Sequence, residues 1–343
     1  FISFDEGANW SRFNLNLPAV AVHDIEVKDE DLCIATFGRS FWILDDISPL
    51  RQWDEQFRDQ AAHLFKPRTH TRLGTNWWAI YGGGVGGGQK NYFVQNGRMG
   101  HTFYELGIVN GERKRRYLDA GGARPYGAII HYWLGEDANG VSLSILDEED
   151  QLIKTYDGEI LSQELGLNRM IWDMNYPDVL AVPGNPAPGI VVQAKVGTYK
   201  AKLTVNGKSE VQVFELKMNP NEKFTAADSA NRFDLWWRLR SIFERSNKEI
   251  IAALKLAEEA GEDSEIAKRA SEFAGKLVPQ GATLSEIANE PPKMLSKLTT
   301  VSSMLFHSEG PPTQSAYEVV DQMEKLIDGE IAAWRAFKAE QAK

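Results

Sequence analysis

The chain has 343 residues, 43% of them hydrophobic and 25% charged, which is the composition of a folded protein of about two or three domains. Its 38 basic and 48 acidic residues give a net charge of −10, which argues against nucleic acid and anionic membranes as partners, because phosphate binding needs a basic surface. The single cysteine, Cys33, excludes an intrachain disulfide, and no apolar run reaches the length of a membrane span.

Residues 1–50 are predicted to form short β-strands joined by turns, with apolar runs at 20–27, 32–36 and 41–44. The first ten residues carry the pattern Ser3-x-Asp5-x-Gly7-x-x-Trp10, the Asp box of sialidase-type β-propeller repeats. We expect Asp5 to accept N–H groups of its own turn, Gly7 to take a positive φ and Trp10 to pack between strands. These roles are structural. Since a propeller has about four to eight blades, the chain is expected to be the C-terminal part of a longer protein, with 1–50 as the last blade.

The segment 51–65 is predicted to be a connector helix that begins at Ser48-Pro49, because Leu50, Trp53, Phe57 and Ala61 recur on one face. The following stretch, 69–124, is predicted to be an insertion. Its glycine tract 82–88 lacks the Gly-Lys-Ser/Thr of a phosphate loop, and its basic run Arg113–Arg116 is predicted to be a solvated turn. Either its aromatic residues are buried, or they form a ligand-stacking surface; the candidates for stacking are Trp77, Trp78 and Tyr81.

Residues 66–222, apart from that insertion, are predicted to form an immunoglobulin- or fibronectin-like β-sandwich. Strands are predicted at 126–134, 141–147, 152–156, 167–173, 197–205 and 209–217. Asn206-Gly207 between two alternating runs is a strong hairpin signal. Residues 223–343 switch to helical periodicity, with helices near 225–261, 263–278 and 293–306 and a last one after residue 313. We expect these to pack as an antiparallel four-helix bundle.

Taken together, these segments resemble the C-terminal part of a bacterial "glycosyl hydrolase" family with sortilin-type, bacterial-neuraminidase-repeat propellers. The resemblance rests on the Asp box and on three further segments: Ala35–Asp46, similar to a propeller closure; Phe65–Arg68; and Gly166–Asp173, similar to the G-x-N-R-x-x-W-D strand of an immunoglobulin-like module. Position 37 is Phe where the family usually has His, and Val196 replaces the Pro of the "PGTY" hairpin. The resemblance implies an exported bacterial protein, either periplasmic, cell-surface or secreted.

The family name does not establish chemistry, because fold likeness does not determine function. A glycosidase usually needs two carboxylates about 5–9.5 Å apart. The side chains of Asp45 and Asp46 are expected to diverge at a strand end, and Asp173 is expected to end a strand. The six histidines show no metal-ligand spacing, and Asp29-Glu30-Asp31 is predicted to be a solvated turn rather than a Ca²⁺ site. The sequence therefore predicts no catalytic, cofactor-binding or metal-binding residues.

The leading hypothesis is a non-catalytic C-terminal scaffold and interaction region whose first partner is the upstream blades of its own chain. One alternative is a glycoside hydrolase whose catalytic carboxylates lie in those blades, which paired Asp or Glu residues upstream would reveal. The other is a carbohydrate- or peptide-binding module. A glycan, protein or peptide ligand is therefore open, whereas nucleic acid and a membrane span within the chain are not expected.

Overall fold

The computed structural model describes residues 1–15, 17–72, 103–109, 112–117, 127–185, 189–261, 263–280, 291–308 and 310–341. It confirms the mixed class expected from the sequence, with β-sheets up to residue 218 and helices from residue 226 onward. The chain divides into two compact units. The first unit holds the described residues up to 173 together with 197–217, and the second holds those of 174–196 and 218–341.

The first sheet of the first unit is a three-stranded antiparallel meander. Its strands are β1 (Val22–Lys28), β2 (Asp31–Thr36) and β3 (Phe41–Leu44), in the order β1-β2-β3. Asp29 and Glu30 make the first turn with φ values of +50° and +69°. The second turn contains Gly38 and Ser40, also at positive φ. All three strands lie where the apolar runs of the sequence predicted them.

The prediction of a connector helix over residues 51–65 is wrong for most of that segment. Helix α1 covers only Ser48–Arg51, a 3₁₀ turn follows at Glu55–Asp59, and β4 (Ala62–Leu64) pairs with the later strand β8 (Ala128–Leu134). Two of the side chains that suggested one helical face, Trp53 and Phe57, belong instead to an aromatic cluster. Phe57 stacks on the His63 ring at 3.9 Å between centroids, and Trp53 contacts Trp133 at 5.5 Å. Tertiary aromatic contacts therefore override the helical periodicity of this segment.

Two further sheets of the first unit face each other across an aromatic core. One has the order β10-β9-β12-β13-β5 and the other the order β11-β8-β4. Their strands are β5 (His70–Arg72), β8 (Ala128–Leu134), β9 (Ser142–Leu146), β10 (Leu152–Asp157), β11 (Gly166–Trp172), β12 (Gly197–Val205) and β13 (Lys208–Met218). Trp172 of the smaller sheet lies 5.0 Å from Tyr199 and 6.1 Å from Phe214 of the larger one, between ring centroids.

Three residues of the G-x-N-R-x-x-W-D pattern in β11 have structural roles. Gly166 has a φ of +103°, which favours glycine. The buried Asn168 side chain accepts from Ser162 Oγ at 2.6 Å and from the Glu164 N–H, and it donates to the carbonyls of Glu164 and Gly166. Trp172 is fully buried in the core. Asn168 thus satisfies the backbone of the preceding loop, while Trp172 fills the space between the sheets.

The basic run at 113–116 is not a turn, contrary to the sequence prediction. It lies in strand β7 (Glu112–Tyr117), which pairs antiparallel with β6 (Phe103–Val109). The pairing uses backbone groups, so a run of charged residues can adopt it. Trp77, Trp78, Tyr81 and the glycine tract 82–88 lie outside the described residues.

The second unit contains four long helices in its described part, each in contact with the other three. They are α2 (Ala226–Ala260), α3 (Glu265–Leu277), α4 (Met294–His307) and α5 (Gln314–Gln341), close to the predicted ranges. Thr225 and Asp228 form a reciprocal capping box that begins α2, and Gly261, with a φ of +85°, ends it. Their apolar faces enclose one core that includes Trp236, Phe273 and Trp334.

Residues 174–196 belong to the helical core rather than to the sandwich, which the sequence boundary at 222 did not anticipate. Val179, Val182, Ile190 and Val192 are buried in the same cluster as the helices. Arg232 of α2, itself buried, donates to the Gln193 Oε1 at 3.1 Å. This segment therefore contributes non-helical residues to the core of the second unit.

Candidate functional site

The N-terminal turn is organised by Ser3 and Asp5. Ser3 Oγ accepts from the Gly7 N–H at 2.8 Å and donates to Asp5 Oδ1 at 2.8 Å. Asp5 in turn accepts from the Asn9 N–H at 2.8 Å and from the Asn9 side chain at 2.6 Å. These hydrogen bonds lower the pKa of Asp5, because they favour its charged form. The carboxylate is thus engaged by its own turn.

Trp10 differs from the expectation that it packs between strands. Its side chain is 62% exposed, and its indole N–H donates to the Gly7 carbonyl at 3.0 Å. Gly7 adopts a φ of +92° beneath the indole. The residue therefore fixes the turn by a hydrogen bond while its ring lies on the surface.

The register of the β1–β3 sheet places apolar side chains on both of its faces. Ile25 pairs with Ile34, which pairs with Trp42, so these three share one face. On the other face, Cys33 lies beside Ile43 in the register. On that second face β1 contributes Asp24, Glu26 and Lys28, so β1 alternates apolar and polar residues, as a strand with one solvated face does, whereas β3 is apolar on both faces.

The strands of this sheet are nevertheless exposed or half-buried, and β2 is half-buried along its whole length. Among the described residues between 1 and 45, none is buried. Ile25 is 59% exposed, Ile43 is 60% exposed and Phe41 is 80% exposed. Isolated exposed apolar residues are ordinary, whereas a contiguous patch on a small sheet marks an interaction surface. We call this surface, formed by the apolar side chains of β1–β3, the meander surface.

One end of the meander is anchored to the rest of the first unit by polar contacts. Asp31 accepts from the Arg68 guanidinium at 2.6 Å and from the Asp46 N–H at 3.0 Å. Glu30 pairs with Arg51 at 3.2 Å, and its carbonyl accepts from the Ile47 N–H. The acidic turn 29–31 is therefore engaged by cations and backbone donors of the following segment.

A buried histidine and a buried aspartate meet beside this anchor. His131 Nδ1 lies 3.6 Å from Asp46 Oδ2, which is beyond hydrogen-bond distance, and the Asp46 side chain is fully buried. Burial lowers the pKa of His131 to about 4, the negative charge of Asp46 opposes this, and Arg169 on the neighbouring strand reinforces it. Asp46 also holds a φ of +62° and accepts from the Ser48 N–H at 3.1 Å.

Two carboxylates considered in the sequence, those of Asp46 and Asp173, lie in different environments. The Asp46 carboxylate is enclosed, and Asp173 lies 3.7 Å from the Lys154 ammonium. No group of three or more His, Cys, Asp or Glu residues is placed to hold a metal ion within the described ranges. None of the described helices is long and apolar enough to cross a membrane. The candidate stacking residues Trp77, Trp78 and Tyr81 lie outside the described part.

Sequence reasoning missed the cluster of Asp31, Asp46, Arg68 and His131. These residues are up to 100 positions apart, from 31 to 131, and none belongs to a motif with chemical spacing. The only local sign of this cluster is the positive φ of Asp46, which is unusual for a residue other than glycine. A backbone dihedral cannot be seen in a sequence.

No family model matches this sequence, and comparisons with curated proteins and with solved structures likewise gave no match.

Proposed function

We propose that this chain is a non-catalytic scaffold and interaction region of an exported Asp-box β-propeller protein. In this proposal the β1–β3 meander is one blade that packs between further blades. The observation that carries it is the meander surface, on which Ile25 of one face and Ile43 of the other are exposed and no residue of β1–β3 is buried.

The physical argument is that a small sheet needs cover to be stable. A three-stranded sheet needs another element against an apolar face to be stable, and no residue of β1–β3 is buried. In a propeller each blade packs against a neighbouring blade on either face. Such neighbours would cover Ile25 on one face of the meander and Ile43 on the other. The anchor through Asp31 and Arg68 would then transmit the position of the blade to the rest of the first unit.

The remaining parts fit a buttressing role. Two antiparallel-paired sheets with Trp172, Tyr199 and Phe214 between them support an immunoglobulin-like sandwich. Four long helices that share one core support a helical bundle.

The docking experiment compares the 343-residue chain with a longer form that carries further Asp-box blades ahead of Phe1. Amide hydrogen exchange of β1–β3 is expected to slow at least about 100-fold in the longer form, while exchange of β8 and β11 stays unchanged. Amides of β1–β3 that are already as protected as those of β8 in the 343-residue chain would contradict the proposal.

A matched pair of variants sharpens this test. Ile25→Ser with Ile43→Ser removes apolar surface from both faces of the meander, and each loss should cost the longer form about 1.5–3 kcal/mol of blade stability. Val211→Ser with Val213→Ser makes a similar apolar-to-polar change on exposed residues of β13 and should cost neither form a comparable amount. If the two double variants destabilise the longer form equally, the meander is not the docking surface.

The non-catalytic part of the proposal is tested separately on a polysaccharide panel. Turnover of any glycan by the 343-residue chain would refute it. Turnover by the longer form alone would make the chain the scaffold of a hydrolase, with the catalytic carboxylates in the other blades.

A further inference from the structure

Two Asn-Gly pairs lie on the surface of the first unit, away from the meander surface. One is Asn139-Gly140, in the loop between β8 and β9, and the other is the hairpin turn Asn206-Gly207. All four residues are exposed. Both glycines have a positive φ, +59° at Gly140 and +73° at Gly207, which residues with a side chain seldom adopt. By sequence alone, the two pairs should have the same chemistry.

The structure places the two asparagines against each other. The Asn139 N–H donates to Asn206 Oδ1 at 2.9 Å, and the Asn206 N–H donates to the Asn139 carbonyl at 2.8 Å. Asn206 Nδ2 donates to the Asp137 carbonyl at 2.8 Å. The Asn206 carboxamide thus uses both its oxygen and its nitrogen to hold the β8–β9 loop against the β12–β13 hairpin.

The Asn139 carboxamide is held much less firmly. Its Nδ2 donates to the Asp137 carbonyl at 3.2 Å, and its Oδ1 accepts no hydrogen bond from any described residue. The Gly140 N–H also donates to no described residue, and a Cβ added at Gly140 would meet no atom within 4 Å. The Asn139 carboxamide carbon and the amide nitrogen that follows it can therefore approach each other.

We propose that Asn139 is a site of spontaneous deamidation, and that its hydrogen bonds protect Asn206 from the same reaction. Asparagine is among the chemically labile residues of proteins. The Gly140 nitrogen gives up its proton and bonds to Asn139 Cγ, while the Cγ–Nδ2 bond breaks and Nδ2 leaves as ammonia with a proton. Water then opens the cyclic imide at either carbonyl and leaves aspartate or isoaspartate. One water is consumed, one ammonia is released, and one carboxylate is gained.

The hydrogen bonds that must break before the ring closes differ between the two pairs. At Asn206 the carboxamide must leave two short contacts, and rotation of the Gly207 nitrogen disturbs the turn that closes the β12–β13 ladder. At Asn139 the carboxamide leaves one contact of 3.2 Å, and the Asn139 carbonyl leaves the Asn206 N–H. One additional side-chain hydrogen bond of ordinary net strength slows the reaction at Asn206 about fivefold.

Deamidation at Asn139 changes the contact between the loop and the hairpin. It adds a negative charge two residues from Asp137, and isoaspartate also adds a methylene group to the backbone. With that longer backbone, the N–H and the carbonyl of residue 139 no longer fit both of their contacts with Asn206, so the loop loosens from the hairpin. This modification is independent of the propeller proposal, and the failure of one leaves the other standing.

The test incubates the 343-residue chain at mildly alkaline pH, folded in buffer and unfolded in urea, and follows both sites by mass spectrometry of tryptic peptides. Lys202 and Lys208 bracket Asn206, and Asn139 is the only asparagine of the peptide that ends at Lys154. Each asparagine is compared with itself in urea, so the effect of its sequence neighbours cancels. We expect folding to slow deamidation of Asn206 at least about fivefold more than that of Asn139.

A variant and the modified protein complete the test. Asn139→Gln should abolish the mass gain of the peptide that ends at Lys154, because glutamine would have to close a larger ring. Asn221→Gln, at an exposed asparagine before α2, is the matched control and should change neither site. In the deamidated form, separated by its additional charge, the Asn206 N–H should exchange with solvent at least about fivefold faster than in the unmodified chain.

Three results overturn the proposal. The first is that folding slows the two sites equally, or slows Asn139 more than Asn206. The second is a folded chain that gains no mass at Asn139 over a time in which the unfolded chain is fully deamidated there. The third is a mass gain that persists in the Asn139→Gln peptide. Unchanged exchange of the Asn206 N–H in the deamidated form would refute the loosening of the loop.

Discussion

His131 makes the stability of the first unit dependent on pH. The folded protein holds this ring in a buried site where its pKa falls from 6.5 to about 4. Asp46 faces the ring from the segment after β3, and Arg169 faces it from β11, the strand paired with its own. The unfolded chain, with no such burial, takes up a proton near pH 6.5. Acid therefore favours the unfolded state.

The magnitude follows from the pKa difference. At about 1.4 kcal/mol per pKa unit, the fall from 6.5 to about 4 corresponds to about 3 kcal/mol of unfolding free energy. Above pH 6.5 the ring is neutral in both states, and the full stability is present. Between pH 6.5 and about 4 only the unfolded state binds the proton, so stability falls with falling pH. Below about pH 4 both states are protonated, and His131 causes no further loss.

The assay compares the unmodified chain with His131→Gln at a series of pH values from neutral to acid. Amide hydrogen exchange of β8 and β11 reports the first unit alone, so unfolding of the helices does not confuse the measurement. The substitution also changes packing, but that cost is constant with pH. Only the change with pH of the difference between the two proteins counts, and we expect that change to reach about 3 kcal/mol.

His307→Gln is the control, because His307 is an exposed residue of the second unit, at the end of α4, and should leave the exchange of β8 and β11 unaltered. A difference between the unmodified chain and His131→Gln that stays within about 0.5 kcal/mol over this range would refute the reasoning. A nuclear magnetic resonance titration of His131 with a midpoint at or above its ordinary pKa would do the same.

Three further substitutions test the packing of the two units by urea unfolding with hydrogen exchange. Asn168→Ala should destabilise the first unit by about 2–3 kcal/mol, because it strands buried backbone groups of the preceding loop; a loss under about 0.5 kcal/mol would show that solvent satisfies them. Gly127→Ala should cost about 2 kcal/mol or more, since its Cβ would lie 2.4 Å from the Trp172 carbonyl oxygen at a φ of +143°, and an unchanged midpoint would mean that the strand shifts freely. Arg232→Met should destabilise the second unit by about 3 kcal/mol, because the buried guanidinium donates to the carbonyls of Leu305 and Ser308 and to Gln193. Arg269→Met on an exposed face of α3 is its control, and similar losses in the two variants would contradict the role given to Arg232.

Local sequence patterns determined most of the secondary structure. An apolar run predicted β8, alternation predicted β9 and β12, and Asn206-Gly207 marked the hairpin between β12 and β13. Helical periodicity with Thr225 at the start and Gly261 at the end predicted α2 to within a residue. These signals are readable because each depends on neighbours only a few positions apart, through pleat, turn geometry or capping.

The segments that the sequence misjudged are those whose conformation depends on distant residues. Trp53 and Phe57 have helical spacing, yet their contacts with Trp133 and His63 hold the chain in a 3₁₀ turn and a short strand. Residues 174–196 have no clear periodicity, and only burial against the helices assigns them to the second unit. Propensity is a weak guide where packing with remote side chains carries more free energy.

The sequence by itself determined that the chain is β in its first part and helical in its last, and where the N-terminal turn lies. Only the tertiary structure decided that His131 meets Asp46, that Arg68 reaches Asp31, and that Asn206 holds the loop of Asn139. It also showed that Ile25 and Ile43, on opposite faces of the meander, are exposed. The reason is that burial and charge pairing are properties of distances in space, whereas the sequence records distances along the chain.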